Sequence, residues 1–199
     1  MPKMVDHDER KREIAAAMWR ILLREGVGAV TVRALAAETG WSVGAIRHYY
    51  KSNDDLLLFA MGEMFVSIAG RIGALDFDEP DRAVLQKAVE EMLPLDQQRK
   101  AEAQIWFTLL TRRIANPELA VKAHSLDLVV RGAVRNVLSE LAVANLVSPS
   151  RALETEVVRL HALIDGLALH ALSEPPLDSP AAIRAAISTH LAELATRVR

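Results

Sequence analysis

Val43, Gly44, Arg47 and His48 stand close together in a short stretch and can all face outward from one helix. Small residues at the first two positions let such a helix approach a surface closely. Arg47 then offers a planar fork that matches guanine O6 and N7 or a phosphate, and His48 a second hydrogen-bonding group one position on. That combination suits readout of a DNA major groove. A second candidate constellation, His161 and Asp165, lies i, i+4 and can supply two metal ligands. No third ligand follows at motif spacing, so an interface hydrogen bond or a polar group lining a cavity is the plainer reading. Gly-x-Ser-x-Gly, Gly-x-Gly-x-x-Gly and Walker motifs are absent. No catalytic residue, metal or cofactor is expected.

The elements that must carry the first constellation are legible around it. Thr31 is a good N-cap for one short helix and Ser42 for the next. Gly40 supplies the positive φ that ends the first and turns sharply into the second. Ala36 is small enough for the helices to cross closely, Trp41 is an apolar plug after the turn, and Ile46 and Tyr49 share the inner face of the second helix. The spacing predicts a helix-turn-helix. A purely structural helical hairpin uses an Ala and a Gly in the same way, so an all-α small-molecule-binding protein or enzyme remains the alternative at this point.

The continuation from His48 through Tyr49-Tyr50-Lys51-Ser52-Asn53-Asp54-Asp55-Leu56-Leu57 resembles the end of the DNA-binding domain in TetR-family transcriptional repressors. There a recognition helix closes in aromatics, a Lys-Ser follows, and a fourth helix opens on acidic residues and leucines. The resemblance is close over residues 10 to 60 and looser beyond. It implies that Thr31, Tyr49 and Lys51 hold the phosphate backbone while Arg47, Val43, Gly44 and Arg33 reach bases, with Ser42 and His48 completing the DNA-facing set. Two positions depart from the pattern. Arg47 replaces the usual aromatic, and Asn53 replaces a Lys near the start of helix four, which removes one charge from the phosphate grip.

Bulk properties agree. The chain has 199 residues, 51% of them hydrophobic and 25% charged, with a net charge of −2. Residues 1–51 hold nine Lys or Arg against six Asp or Glu, so the negative balance falls entirely on the remainder. A basic head on an acidic body is the asymmetry of a small DNA-binding unit joined to another. Cysteine is absent, which excludes disulfides and thiolate chemistry and fits the cytoplasm. The polar N-terminus lacks the apolar stretch of a signal peptide, and no apolar run approaches the roughly 18 residues of a membrane span.

Periodicity predicts an all-α chain of about nine helices. The first spans about Asp8 to Arg24. Ser52, with Asp55 three residues on, forms a capping box for the fourth, which runs to about Gly73. A loop at 74–81 is followed by helices at about Asp81 to Leu93 and Gln97 to Ile114. Asn116-Pro117 opens a long seventh helix, and Ser148-Pro149 and Ser179-Pro180 repeat that device for helices of about 150–173 and 180–197. The expected domains are residues 1–51, the DNA-binding head, and 52–199, the ligand-binding and dimerisation body.

The last two helices are apolar on more sides than one covered face needs, and Gly166 and Ala168 permit close approach. Family resemblance makes them the four-helix interface of a homodimer. It also places an effector cavity among helices four to eight, with Met61, Met64, Phe65, Trp106, Leu110, Leu128 and His161 as candidate lining residues. Two methionines on one helix suit an adaptable apolar pocket. Arg112, Arg113, Arg131 and Arg135 are expected to face water. The expected partners are a palindromic double-stranded operator, a second copy of the chain and an unidentified small organic effector, with no membrane. A constitutive, ligand-blind repressor would lack such a cavity.

Overall fold

From the second helix onward, with one exception, each helix starts on a side-chain cap. The structure, a computed structural model, describes residues 7–77, 81–173 and 175–195. Helix α1 spans His7–Glu25 and leads through a single 3-10 turn, Val27–Ala29, to α2, Val32–Thr39. Thr31 Oγ1 accepts from the Ala34 amide at 3.1 Å. Gly40 ends α2 with φ 72°, a backbone conformation that a Cβ would strain. Ser42 then caps α3, Val43–Tyr49. Ser52 and Asp55 form the capping box of α4, Asn53–Gly73, each side chain accepting from the other's amide at 3.0 Å. Asp81 and Asp96 cap α5, Arg82–Glu90, and α6, Gln97–Ala115. Asn116 and Ser179, each followed by Pro, cap α7, Pro117–Val143, and α9, Pro180–Glu193. Such caps are worth about 1 kcal/mol each.

The exception is α8, Leu153–Leu172, which begins on Ala152 without a side-chain cap. Ser148-Pro149 does not open it. The Ser148 amide donates instead to the Leu194 carbonyl at 2.8 Å, pinning this turn to the end of α9. The expected end of the last helix, at about 197, and residues 78–80 of the expected loop lie outside the described residues. Among the described residues there are nine α-helices and no strand.

Two apolar clusters organise these helices. The first joins Ile14, Met18 and Ile21 of α1, Leu35 of α2 and Ile46 of α3 to Leu56 and Met61 of α4 and Ile105 and Leu109 of α6. The second joins α5, the C-terminal half of α7, α8 and α9 through residues such as Leu85, Leu138, Leu160 and Ile187. Phe107 touches both. Packing therefore runs without a break from the helix-turn-helix into α4 and α6. By length and composition α4 could cross a membrane. Most of its apolar side chains are engaged elsewhere: Leu56, Leu57, Ala60 and Met61 in the first cluster, Phe65, Ile68 and Ile72 along a cavity, with Val66 exposed. It also carries Asp54, Asp55, Glu63 and Arg71.

Candidate functional site

Only Ile46 among the α3 residues is fully buried, and it anchors the helix to the head core. Its burial turns Val43, Gly44, Arg47 and His48 outward, all of them exposed. Tyr49 is half-buried, with its ring 6.3 Å from Trp41 and 5.5 Å edge-on from His48. Tyr50 is core instead: it is buried, its ring packs on Phe59 at 4.7 Å, and burial raises its phenol far above the ordinary value. Arg10 lies 4.9 Å over the Trp41 ring, so α1 clamps the turn of the motif, a contact the sequence pattern does not announce.

Two sets of cations in the head differ in their surroundings. Arg20 and Arg24 both donate to Glu38, at 2.7 and 3.0 Å, tying α1 to α2. Those bonds, Arg20's first, hold the Glu38 carboxyl below its ordinary value. Arg33, Arg47 and Lys51 are exposed and make no ion pair among the described residues. Thr31 and Ser42 spend their oxygens as cap acceptors and keep their O–H groups available as donors. A Cβ on Gly44 would meet only Ser42 Oγ, at 3.8 Å. The fold itself does not require glycine there.

The body holds a cavity of about 630 Å³, within the range of drug-sized sites, bounded by α4 to α8. Met64 and Phe65 of α4, Trp106 of α6 and His161 of α8 line it. Three other candidates do not. Met61 is fully buried in the head cluster, because α4 passes from that cluster to the cavity along its length. Leu110 packs against the same cluster, one helical turn beyond Trp106. Leu128 is 59% exposed, since α7 turns Val130, Ala133 and Val134 toward the cavity instead.

Polar groups in the cavity are few. Trp106 is 8% exposed, and its indole N–H donates to Asp165 Oδ1 at 2.9 Å. His161 Nε2 lies 3.7 Å from Asp165 Oδ2 and is buried without a hydrogen-bond partner. Among the described residues no group of three or more His, Cys, Asp or Glu could hold a metal ion. At the α5–α6 end, Glu102 is engaged by Arg71, and Arg99 pairs with Glu91 and Asp96. Arg71 also reaches Glu91 at 2.6 Å and Ser67 at 2.8 Å, so one guanidinium binds α4 to α5 and α6. Sequence reading missed this network, because its members are 20 and 31 positions apart. Arg112, Arg113 and Arg135 pair with Asp54, Asp127 and Glu154, away from the cavity. Asp127 of α7 is thus a partner of α6.

Residues 14–59 match the profile of the tetR family of bacterial regulatory proteins, and residues 81–196 that of the C-terminal region of BetI-type transcriptional repressors. The HTH-type transcriptional regulator PksA of Bacillus subtilis is 33% identical over 193 residues, covering 96% of this chain and 92% of that protein. BetI of Burkholderia thailandensis is 28% identical over 190 residues, covering 94% of each. A transcriptional regulator from Rhodococcus sp. Rha1 superposes with TM-score 0.74 at 25% identity, covering 92% of this chain and 95% of that one. One from Saccharomonospora viridis, solved in complex with choline, gives 0.73 at 21%, with the same coverage. A helix-turn-helix with a free basic face, carried on an all-helical body with a cavity, thus has matching relatives along nearly its whole length: the chain belongs to the TetR family, as a regulator with a BetI-type body, and is not an enzyme.

Proposed function

We propose that this ligand-responsive DNA-binding repressor works as a homodimer on a palindromic operator. Residues 1–51 form the DNA-binding head and 52–199 the ligand-binding and dimerising body. Tyr49, Lys51 and Thr31 grip phosphates; Arg47, Val43, Gly44 and Arg33 meet base edges, flanked by Ser42 and His48. The observation that carries the reading is the double engagement of α4. Its N-terminal half is core to the head, and its C-terminal half is a wall of the cavity. An occupant that fits one placement of α4 better than another shifts the spacing of the two heads, and with it the fit to successive major grooves.

The partner copy docks on α8 and α9. Val158 and Leu169 are 50% and 53% exposed on one side of α8, with Ala162 between them and Gly166 open. Small Ala182, Ala185 and Ala192 lie exposed on α9. An effector with a large apolar body and a positive charge suits the cavity. Its one lining guanidinium, Arg99, is already paired, whereas among the described residues the carboxylates of Glu140 and Asp165 pair with no Arg or Lys, and Asp165 has only the neighbouring imidazole of His161. The choline held by the Saccharomonospora viridis regulator agrees in charge and is much smaller. The protein acts in the cytoplasm, at the nucleoid while bound.

Selection of bound fragments from random duplexes tests the reading. A two-fold symmetric consensus is expected, with half-sites about one helical turn apart. Recovery of sequences without symmetry overturns it. Ala133→Trp, which fills the cavity from α7, is expected to fix the protein in one response state while leaving the selected consensus unchanged.

A further inference from the structure

We infer that Asp165 is the recognition point of the effector site, and that it selects a protonated amine still carrying N–H, attached to a drug-sized apolar body. The inference rests on the cavity being the effector site. Trp106 fixes one carboxylate oxygen, Oδ1, at 2.9 Å. Among the described residues Oδ2 has no donor within hydrogen-bond distance, and the side chain is one-third exposed at the cavity wall. A carboxylate so placed has lost much of its water and pairs with no guanidinium or ammonium among the described residues. A charge-assisted bond from an occupant then carries more energy than a neutral contact.

His161 sharpens the choice. Its Nε2 is buried and unpartnered, 3.7 Å from Oδ2. A nitrogen set about 2.9 Å from each atom subtends roughly 80° between them, close enough to a tetrahedral angle for two N–H bonds of one ammonium to serve both. Nε2 has no exposed surface, so the imidazole must turn slightly to meet that nitrogen. A fully methylated ammonium carries the same charge but can donate to neither atom, and it leaves both unsatisfied. Most of the rest of the wall, Phe65, Ile68, Ile72 and Val134 among it, offers apolar contact to the remainder of the ligand, with Arg99, Glu102, Asn136 and Glu140 its other polar residues.

Calorimetric titration of the full-length protein with four matched probes tests this: 1-naphthylmethylamine, its trimethylammonium counterpart, 1-naphthylmethanol and 1-methylnaphthalene. The amine is expected to bind about tenfold or more tightly than the trimethylammonium, with the alcohol between amine and hydrocarbon. Asp165→Asn is expected to erase the preference while leaving 1-methylnaphthalene binding unchanged, which also shows that the variant is folded. His161→Phe is expected to reduce the preference without erasing it. Equal or tighter binding of the trimethylammonium overturns the inference, as does a preference that survives Asp165→Asn. Tightest binding by the alcohol reassigns the site to a neutral hydroxyl and also overturns it. Hydrocarbon binding with no N–H preference removes this inference alone; no binding by any probe counts against the cavity as effector site.

Discussion

Arg112, in the last turn of α6, donates to Asp54, in the first turn of α4, at 2.8 Å. Asn116, the cap of α7, donates to the other oxygen of Asp54 at 3.1 Å. Two body helices, α6 and α7, thus meet on a residue in the first turn of the helix bearing the head. Arg112 is about half exposed, and an exposed pair of this kind contributes about 1 kcal/mol or less to stability. Its importance is orientation. Arg112→Ala is expected to leave the thermal midpoint nearly unchanged. Amide exchange in the first turn of α4 should accelerate, and operator affinity should fall severalfold. The salt dependence of binding should stay the same, because no phosphate contact is lost. A reduced salt slope would place Arg112 on the DNA instead.

The unpaired cations on the outer face of the head are expected to divide by role. Arg47→Ala should cost about 1 to 3 kcal/mol on the operator and relax preference at one base pair per half-site. Lys51→Ala should weaken specific and random DNA alike and reduce the salt slope by about one per subunit. Binding titrations over a salt series on both DNAs make the comparison. If the two variants behave identically on both, the division between reading and gripping is wrong. Arg20→Ala and Arg24→Ala provide the contrast: their guanidinium groups are held by Glu38, so their loss should act on head stability before DNA affinity.

Gly166 tests the dimer. A Cβ added there meets nothing within 4 Å, so the isolated fold has room for a side chain. Gly166→Arg is therefore expected to fold with an unchanged helical spectrum yet sediment as a monomer that binds DNA weakly, since two heads no longer act together. A dimer of native affinity in the variant would move the interface off this face of α8.

What the sequence made legible was local chemistry. Thr31, Ser42, Ser52 with Asp55, Asn116-Pro117 and Ser179-Pro180 cap helices because each acts within three residues of itself. Ser148-Pro149 has the same local signature and fails: Ser148 Oγ bonds to Ser150 within its own turn, the Ser148 amide is held by the Leu194 carbonyl far along the chain, and α8 starts only at Leu153. The cavity shows the same limit. Met64, Phe65, Trp106 and His161 line it, whereas Met61, three residues before Met64, belongs to the head cluster. Periodicity assigns a face to a helix but not which neighbour that face meets along its length. Asp165 carried a signal, its i, i+4 relation to His161, for which an interface hydrogen bond or a polar group lining a cavity is a plainer reading than two metal ligands. Its bond to Trp106 spans 59 positions and needed the fold.

His190 sets an expected pH dependence. Its imidazole is held below the ordinary value of 6.5, first by burial and then by the guanidinium of Arg159, with Arg151 acting the same way and Glu156 and Glu193 opposing. Its Nε2 is buried without a partner. The unfolded chain takes up a proton near 6.5 and the folded chain only at lower pH. This contribution to stability is therefore intact above 6.5 and is lost as pH falls through the depressed folded value. Thermal midpoints at fixed protein concentration should drop between neutral and mildly acidic pH, and less so in His190→Gln. Equal slopes in both proteins would assign the acid sensitivity elsewhere.

Gly44 separates what the fold wants from what DNA binding wants. Glycine inside α3 costs about 0.5 to 1 kcal/mol relative to alanine, and the neighbourhood has room for the methyl group, whose nearest contact would be Ser42 Oγ at 3.8 Å. Gly44→Ala is therefore expected to raise stability by that amount. The residue sits one turn before Arg47 and His48 on the exposed face, where a bare backbone permits the closest approach to a groove. A methyl group there should hold the helix away and weaken operator binding, and Gly44→Leu should weaken it much more while retaining the fold. Paired melting curves and operator titrations decide the matter. If both variants bind the operator as the native protein does, the N-terminal end of α3 does not enter the groove, and base reading passes to Arg47 and Arg33.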